Sequence, residues 1–234
     1  QFVSPHDLGL TVSGSPMAAR VNEDSYDRIA AFNLPSEGLI VVPGFLAYTT
    51  DGLMATFSRG GSDITGAILA RGFHADMYEN FTDVSAIYAV DPHIIKSPAA
   101  IETMTYREMR ELAYAGFAVF HDEAIIPVIE ADIPINVKNT NEPDAPGTMI
   151  VPVDQVSNPA KVTGIASDDR FAALYLHRYL LNKEVGFTLR ILQILARHGV
   201  SYEHMPSGID DMTIIFDKTQ LTQPILVRHI HSIA

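Results

Sequence analysis

The sequence predicts an α/β protein in which an open, mainly parallel sheet is flanked by helices and a smaller β-α-β-β-α unit follows. Three features point there. Short apolar runs bounded by turn residues alternate with stretches of helical spacing from Gln1 to Val151. Pro152 to Lys161 (PVDQVSNPAK) has the composition of a linker. Residues 162–234 then repeat the alternation on a smaller scale.

Each element has a local reason. Gln1 to Arg20 is turn-rich, and Asn22 to Phe32 carries a short helix. Gly38 to Val42 is a continuous apolar run closed by Pro43 and Gly44, the pattern of a buried strand in a parallel sheet. Phe45 to Thr49 and Met54 to Phe57 flank Asp51-Gly52, a hairpin turn pair, and lead directly into Arg59. Ile64, Ala67, Ile68 and Arg71 share a helical face, and Met77 to Thr82 is a strand. Thr105-x-x-Glu108 is a capping box opening a helix with Met109, Leu112, Ala113 and Gly116 on one side. A helix from Asp122 to Ala131 carries Ile125, Ile126 and Ile129, with Pro127 bending its first turns. Ile133 to Lys138 and Thr148 to Val151 are strands around the loop 139–147.

In the second unit Val162 to Ala166 and Phe171 to His177 read as strands. Gly186 to His198 is a helix ended by Gly199 at the C′ position. Val200 to Met205 and Met212 to Asp217 are strands, and Leu221 to Ile230 is a second helix.

Composition narrows the function. At 234 residues, 47% hydrophobic and 19% charged, the chain can bury a substantial core. A formal net charge of −12 argues against nucleic acid or an anionic membrane as the main partner, and leaves a single nucleotide at one cleft open. The absence of cysteine excludes disulfides, cysteine nucleophiles and thiolate metal sites. Gly38 to Thr50, the longest uncharged apolar stretch, is too short and too interrupted to span a bilayer, and no secretory pattern is visible. A cytoplasmic protein is expected. The start at Gln1 suggests a fragment.

The chemistry concentrates between Phe57 and Pro92. Gly60 and Gly61 let backbone approach a ligand closely, and Ser62 or Asp63 is expected to N-cap the helix behind them. A helix start with free N–H groups attracts anions, and the adjacent Arg59 offers a planar fork for a carboxylate. Thr82 and Asp83 end the next strand, where ligands of open α/β sheets bind. His121-Asp122-Glu123 is read as a helix start rather than a metal site, because consecutive helical residues diverge. His229 and His231 are read as surface residues. No Walker or G-x-G-x-x-G pattern occurs.

The segments Ser58 to Asp63, Thr82 to Pro92, Tyr106 to His121 and Ile133 to Ile150, in this order, resemble the aspartokinases of the amino acid kinase family. The smaller unit resembles their ACT domain, a ferredoxin-like βαββαβ sensor of amino acids, here without its last strand. The resemblance covers nearly the whole chain. It implies residues 1–151 as part of a catalytic domain, 152–161 as linker and 162–234 as an incomplete regulatory domain.

By the same resemblance, Arg59, Gly60, Gly61 and Ser62 bind L-aspartate, with Arg59 and Asp63 in the catalytic machinery. Thr82, Asp83, Tyr88 and Val119 hold ATP with Mg²⁺. No resident protein metal site is expected. Gly186, Phe187, Ser201, Tyr202 and Glu203 are implied to bind an effector amino acid, lysine and/or threonine, at an interface of a homodimer or larger homo-oligomer. His93 and Ala118 stand where the family often has basic residues, and Lys138 is a candidate replacement. The family's N-terminal catalytic lysine is not in this chain, so the chain alone is expected to be inactive. A non-catalytic amino-acid sensor is the alternative; another amino acid kinase, such as glutamate 5-kinase, ranks below it.

Overall fold

The apolar periodicities become two four-stranded sheets and a two-stranded one in the computed structural model, which describes residues 1–15, 18–35, 37–58, 60–114, 124–156, 161–221 and 224–232. Its contacts divide it into two units, Gln1–Ser167 and Asp168–Ala234.

In the first unit, one sheet has the order β2-β1-β3-β4, from β1 (Thr11–Ser15), β2 (Ala18–Val21), β3 (Leu46–Thr49) and β4 (Met54–Thr56). β1 runs antiparallel to β2 and parallel to β3. The Asp51-Gly52 turn closes the expected β3–β4 hairpin, pairing Leu46 with Thr56 and Tyr48 with Met54. Helix α1 (Asp24–Ala30) lies between β2 and β3 in the chain and α2 (Gly61–Gly72) follows β4; Leu8, Leu10, Val12, Ile29, Phe57 and Ile68 form this core.

The other sheet has the order β5-β7-β8-β6, from β5 (Tyr78–Thr82), β6 (Thr103–Thr105), β7 (Ile135–Asn139) and β8 (Thr148–Val151). β5–β7 and β6–β8 are parallel, while β7–β8 is antiparallel, so both sheets are mixed. Helices α3 (Tyr106–Tyr114) and α4 (Ile126–Glu130) accompany it. Met104, Ile125, Val128, Ile135, Val137 and Ile150 form its core together with Ala67 of α2. Helix α2 thus serves both cores, with Ile68 in one and Ala67 in the other. Arg71 near its end reaches Glu130 at 2.5 Å and Glu23 at 3.3 Å and lies 3.9 Å from the Tyr26 ring centre, tying α1, α2 and α4 together.

The Thr105 capping box forms as expected: Thr105 N–H donates to Glu108 at 2.8 Å and Glu108 N–H donates to the Thr105 hydroxyl at 3.1 Å. Gly116, in that helix pattern, lies outside the described residues, as do Asp122 and Glu123 at the expected start of α4. Pro127 falls in the first turn of α4, where a missing N–H breaks no helical bond, so it starts the helix rather than bending it.

Three further expectations are corrected. Gln1 to Arg20 contains the β1–β2 pair, which Gly and Ser disguised as turn. Gly38 to Val42 is no strand; it makes one bridge, Phe2 to Val41, and Leu39 is 83% exposed. Val162 to Ala166 is likewise reduced to a bridge between Ile165 and Val90. Strand β6 had no sequence signal, being only three residues long.

The second unit contains β9 (Phe171–His177) antiparallel to β10 (Asp211–Asp217), with α5 (Phe187–Arg197) and α6 (Pro224–His231). Phe187, Ile191, Leu195, Ile214, Phe216 and Ile230 make its core. Gly199, at φ +64°, ends α5: its N–H bonds Ala196 O and Val200 N–H bonds Leu195 O, the paired bonds of a Schellman turn. Val200 to Met205, expected as a strand, only bridges β10 at His204 and Ile215.

Two predictions follow from buried hydroxyls. Thr148 is fully buried; its hydroxyl donates to Ile101 O at 2.6 Å and accepts from Ile87 N–H at 2.9 Å. Thr148→Val keeps the shape, strands both groups and should cost about 2 kcal/mol in chemical denaturation. Burial pushes the Tyr78 and Tyr106 phenols up to about 12. The folded state then holds these protons longer than the unfolded one, so stability falls as pH rises from about 10 to about 12. Burial raises the Tyr26 phenol as well, so absorbance titration should show Tyr26, Tyr78 and Tyr106 ionising late, and Tyr78→Phe should remove one of these late transitions.

Candidate functional site

The site begins at a turn that only glycine takes without strain. Gly60 has φ +79° and is the N-cap of α2, so Gly61, Ser62 and Asp63 occupy the first turn. This corrects the expectation that Ser62 or Asp63 caps the helix: no side chain does so. First-turn N–H groups have no partner within the helix; here Gly61 is buried and Ser62 exposed.

The chain before β3 is clamped against this turn. A Cβ on Gly61 would lie 2.4 Å from the Phe45 ring, and one on Gly44 would lie 3.2 Å from Ser62 Cα. Phe45, at φ +74°, donates its N–H to the Thr65 hydroxyl at 3.0 Å, and that hydroxyl donates to Gly61 O at 2.8 Å. Sequence reasoning treated Phe45 only as the start of a strand. Nothing local announces a left-handed phenylalanine.

Helix α2 and strand β5 run antiparallel side by side. Near the helix start, Asn80 Nδ2 donates to Asp63 Oδ1 at 3.0 Å; one turn later a Cβ on Gly66 would meet the Tyr78 ring at 2.7 Å. The start of α2 therefore lies beside the end of β5 that carries Thr82 and Asp83. Asp63 is thereby brought to the strand edge, and Asn80 is the contact that sequence reasoning missed. Its signal is an inverted pattern: Asn80 is buried while the neighbouring Phe81 is exposed.

The strand end is fixed by its own bonds. Thr82 donates to Asp83 Oδ1 at 3.1 Å, and Thr82 O accepts from Thr140 N–H at 2.8 Å. Asn139, at the end of parallel β7, donates to the Ser85 hydroxyl at 2.9 Å. Tyr88 is half-buried and bridges Ala100. Arg59, Ala118, Val119 and His121 to Glu123 lie outside the described residues. His93 is exposed and bonds Asp91 at 2.9 Å, and Lys138 pairs with Glu79 at 3.5 Å. Among the described residues no three acidic or His side chains converge as a metal cage, and no helix is long and apolar enough to cross a membrane.

In the second unit, Gly186 is the left-handed N-cap of α5 and Phe187 packs into the core at 2% exposure. Ser201 N–H bonds Gln220 Oε1 at 2.8 Å, Tyr202 is exposed, and Glu203 N–H bonds Ile215 O at 2.7 Å. Ser201 follows the other end of α5, an 11-residue helix, about 16 Å long at 1.5 Å per residue. Gly186 and Ser201 are thus not brought together within one chain.

An open strand edge beside a capless helix start suits two anionic ligands held near each other. Comparison with known proteins shows the family. Residues 3–139 match the model of the amino acid kinase family. Aspartokinase 3 of Bacillus subtilis is 53% identical over 221 residues, 94% of this chain and 48% of that protein. The crystal structure of aspartate kinase from Clostridium acetobutylicum superposes with a TM-score of 0.84 at 39% identity, covering 100% of this chain and 52% of that one. Aspartokinase III of E. coli in complex with aspartate and ADP gives 0.71 at 26%, covering 100% and 54%. The chain spans about half the length of these relatives. On the family match and the shared fold, the chain belongs to the amino acid kinase family.

Proposed function

We propose that the protein carrying this chain is an aspartate kinase, transferring the γ-phosphoryl group of ATP to the side-chain carboxylate of L-aspartate to give 4-phospho-L-aspartate. The observation that carries it is the Asp63–Asn80 contact, which sets the start of α2 beside Thr82 and Asp83. In this reading residues 1–151 are part of the catalytic domain, 152–161 a linker and 162–234 part of an ACT regulatory domain. A cytoplasmic location fits the lack of cysteine.

The reacting carboxylate is already an anion and needs no general base. Catalysis then consists of holding two anions in line and neutralising the charge that accumulates between them. The N–H groups of Gly61 and Ser62 and the guanidinium of Arg59 hold aspartate. Asp63 orients cationic groups of the site. Thr82 and Asp83 meet ATP at the strand edge, and Tyr88 and Val119 are assigned to the same nucleotide. The exposed Asp83 carboxylate would offer Mg²⁺ a hard oxygen donor, and most of the ion's ligands would come from ATP phosphates and water. When bound, Mg²⁺ neutralises phosphate charge. His93 and Lys138, engaged with Asp91 and Glu79, are assigned no phosphate contact.

Regulation would use Gly186, Phe187 and Ser201 to Glu203. Since the two ends of α5 are far apart, the Gly186 end of one copy and the Ser201 end of another would build the lysine or threonine site between subunits. Phe187 would act there by holding the helix start in the core.

The test uses the full-length protein with ATP, Mg²⁺ and L-aspartate, trapping the acyl phosphate with hydroxylamine. Turnover is expected, and Arg59→Lys should raise the KM for aspartate roughly tenfold or more, because an ammonium cannot grip a carboxylate with two parallel bonds. No acyl phosphate from the full-length protein would overturn the assignment. An Arg59→Lys enzyme with unchanged KM would overturn the role of Arg59.

A further inference from the structure

We propose that Asn80 is a positioning residue for the transfer, locking the Asp63 carboxylate at the mouth of α2; this rests on the aspartate kinase reading above. Asn80 is 9% exposed and stands at the inward position of β5, where an apolar side chain would ordinarily pack. Both hydrogens of its amide are used. One goes to Asp63 Oδ1 at 3.0 Å and the other to the Tyr78 hydroxyl at 3.0 Å. The Tyr78 hydroxyl in turn donates to the backbone oxygen of Asp63 at 3.3 Å.

The chemistry fixes which way the amide points. An ionised carboxylate only accepts hydrogen bonds, so Asn80 presents its NH₂ and not its carbonyl. Burial pushes the Tyr78 phenol up to about 12, so it stays neutral and serves as acceptor and donor at once. Asp63 is thereby held at two points, by its side chain and by its backbone, against one rigid strand. Asn80 engages Asp63 Oδ1, and a cation drawn to Asp63 would take Oδ2. A carboxylate fixed in one rotamer before substrate arrives loses no further side-chain entropy during the reaction. Asn80 is neutral, so it orients Asp63 without cancelling its charge.

The test compares Asn80→Ala and Asn80→Asp in the full-length protein. Asn80→Ala should lower kcat about tenfold while each KM changes less than about threefold, since the lost interaction matters in the transition state and not in binding. Asn80→Asp preserves shape but has no donor at neutral pH and adds a like charge, so it should lose at least as much. Its activity relative to the unmodified protein should recover as pH falls, because the introduced carboxyl regains an O–H donor on protonation. A purely structural role would not produce that recovery. The proposal is overturned if both variants keep kcat within twofold, or if they melt earlier with kcat intact and no pH-dependent recovery. An unmodified protein inactive on aspartate is a different failure, that of the functional reading, and takes this proposal with it.

Discussion

The fit of one glycine-punctuated helix between two sheets is the constraint on which the first unit depends. Helix α2 reads GSDITGAILARG, and each of its glycines faces another element. Gly61 meets Phe45, Gly66 meets Tyr78 and Gly72 meets Ile29, all at distances where a Cβ would overlap them. A glycine inside a helix costs about 1 kcal/mol relative to alanine. Here the missing methyl groups allow Ala67 and Ile68 to enter two separate cores. Arg71 adds a polar clamp at the far end, shared between Glu23 and Glu130.

The candidate site follows from that packing. Because Gly66 admits the Tyr78 ring, α2 lies close along β5, and its first turn is carried to the end of that strand. The Gly60 turn then points the helix start toward the same edge as Thr82. Phe45 and Thr65 hold the turn from behind, through the Phe45 N–H, the Thr65 hydroxyl and the Gly61 carbonyl. The proposed substrate contacts and fold stability therefore draw on the same packing, and loosening α2 would cost both.

What could be read from the sequence was what depends on neighbours in the chain. The Thr105 capping box, the Asp51-Gly52 hairpin and the Gly199 helix end are built from residues within a few positions of one another, and all three form. The Arg-Gly-Gly-Ser-Asp run marked the helix start for the same reason. Tertiary partners were not legible. Leu39 and Val41 looked like core yet are exposed, because apolar character does not say which face a neighbour covers. Val12 sits in the core of a strand hidden among Ser and Gly. Asn80 bonds a residue 17 positions away, and the left-handed Phe45 bonds Thr65, 20 positions on.

The account is tested most directly by a crystal structure of the full-length protein with L-aspartate and a non-hydrolysable ATP analogue. It predicts a carboxylate of aspartate against the N–H groups of Gly61 and Ser62, with the analogue's phosphates between that ligand and the Thr82–Asp83 strand end. Density for aspartate away from the start of α2, or a nucleotide bound on a different edge of the sheet, would contradict it.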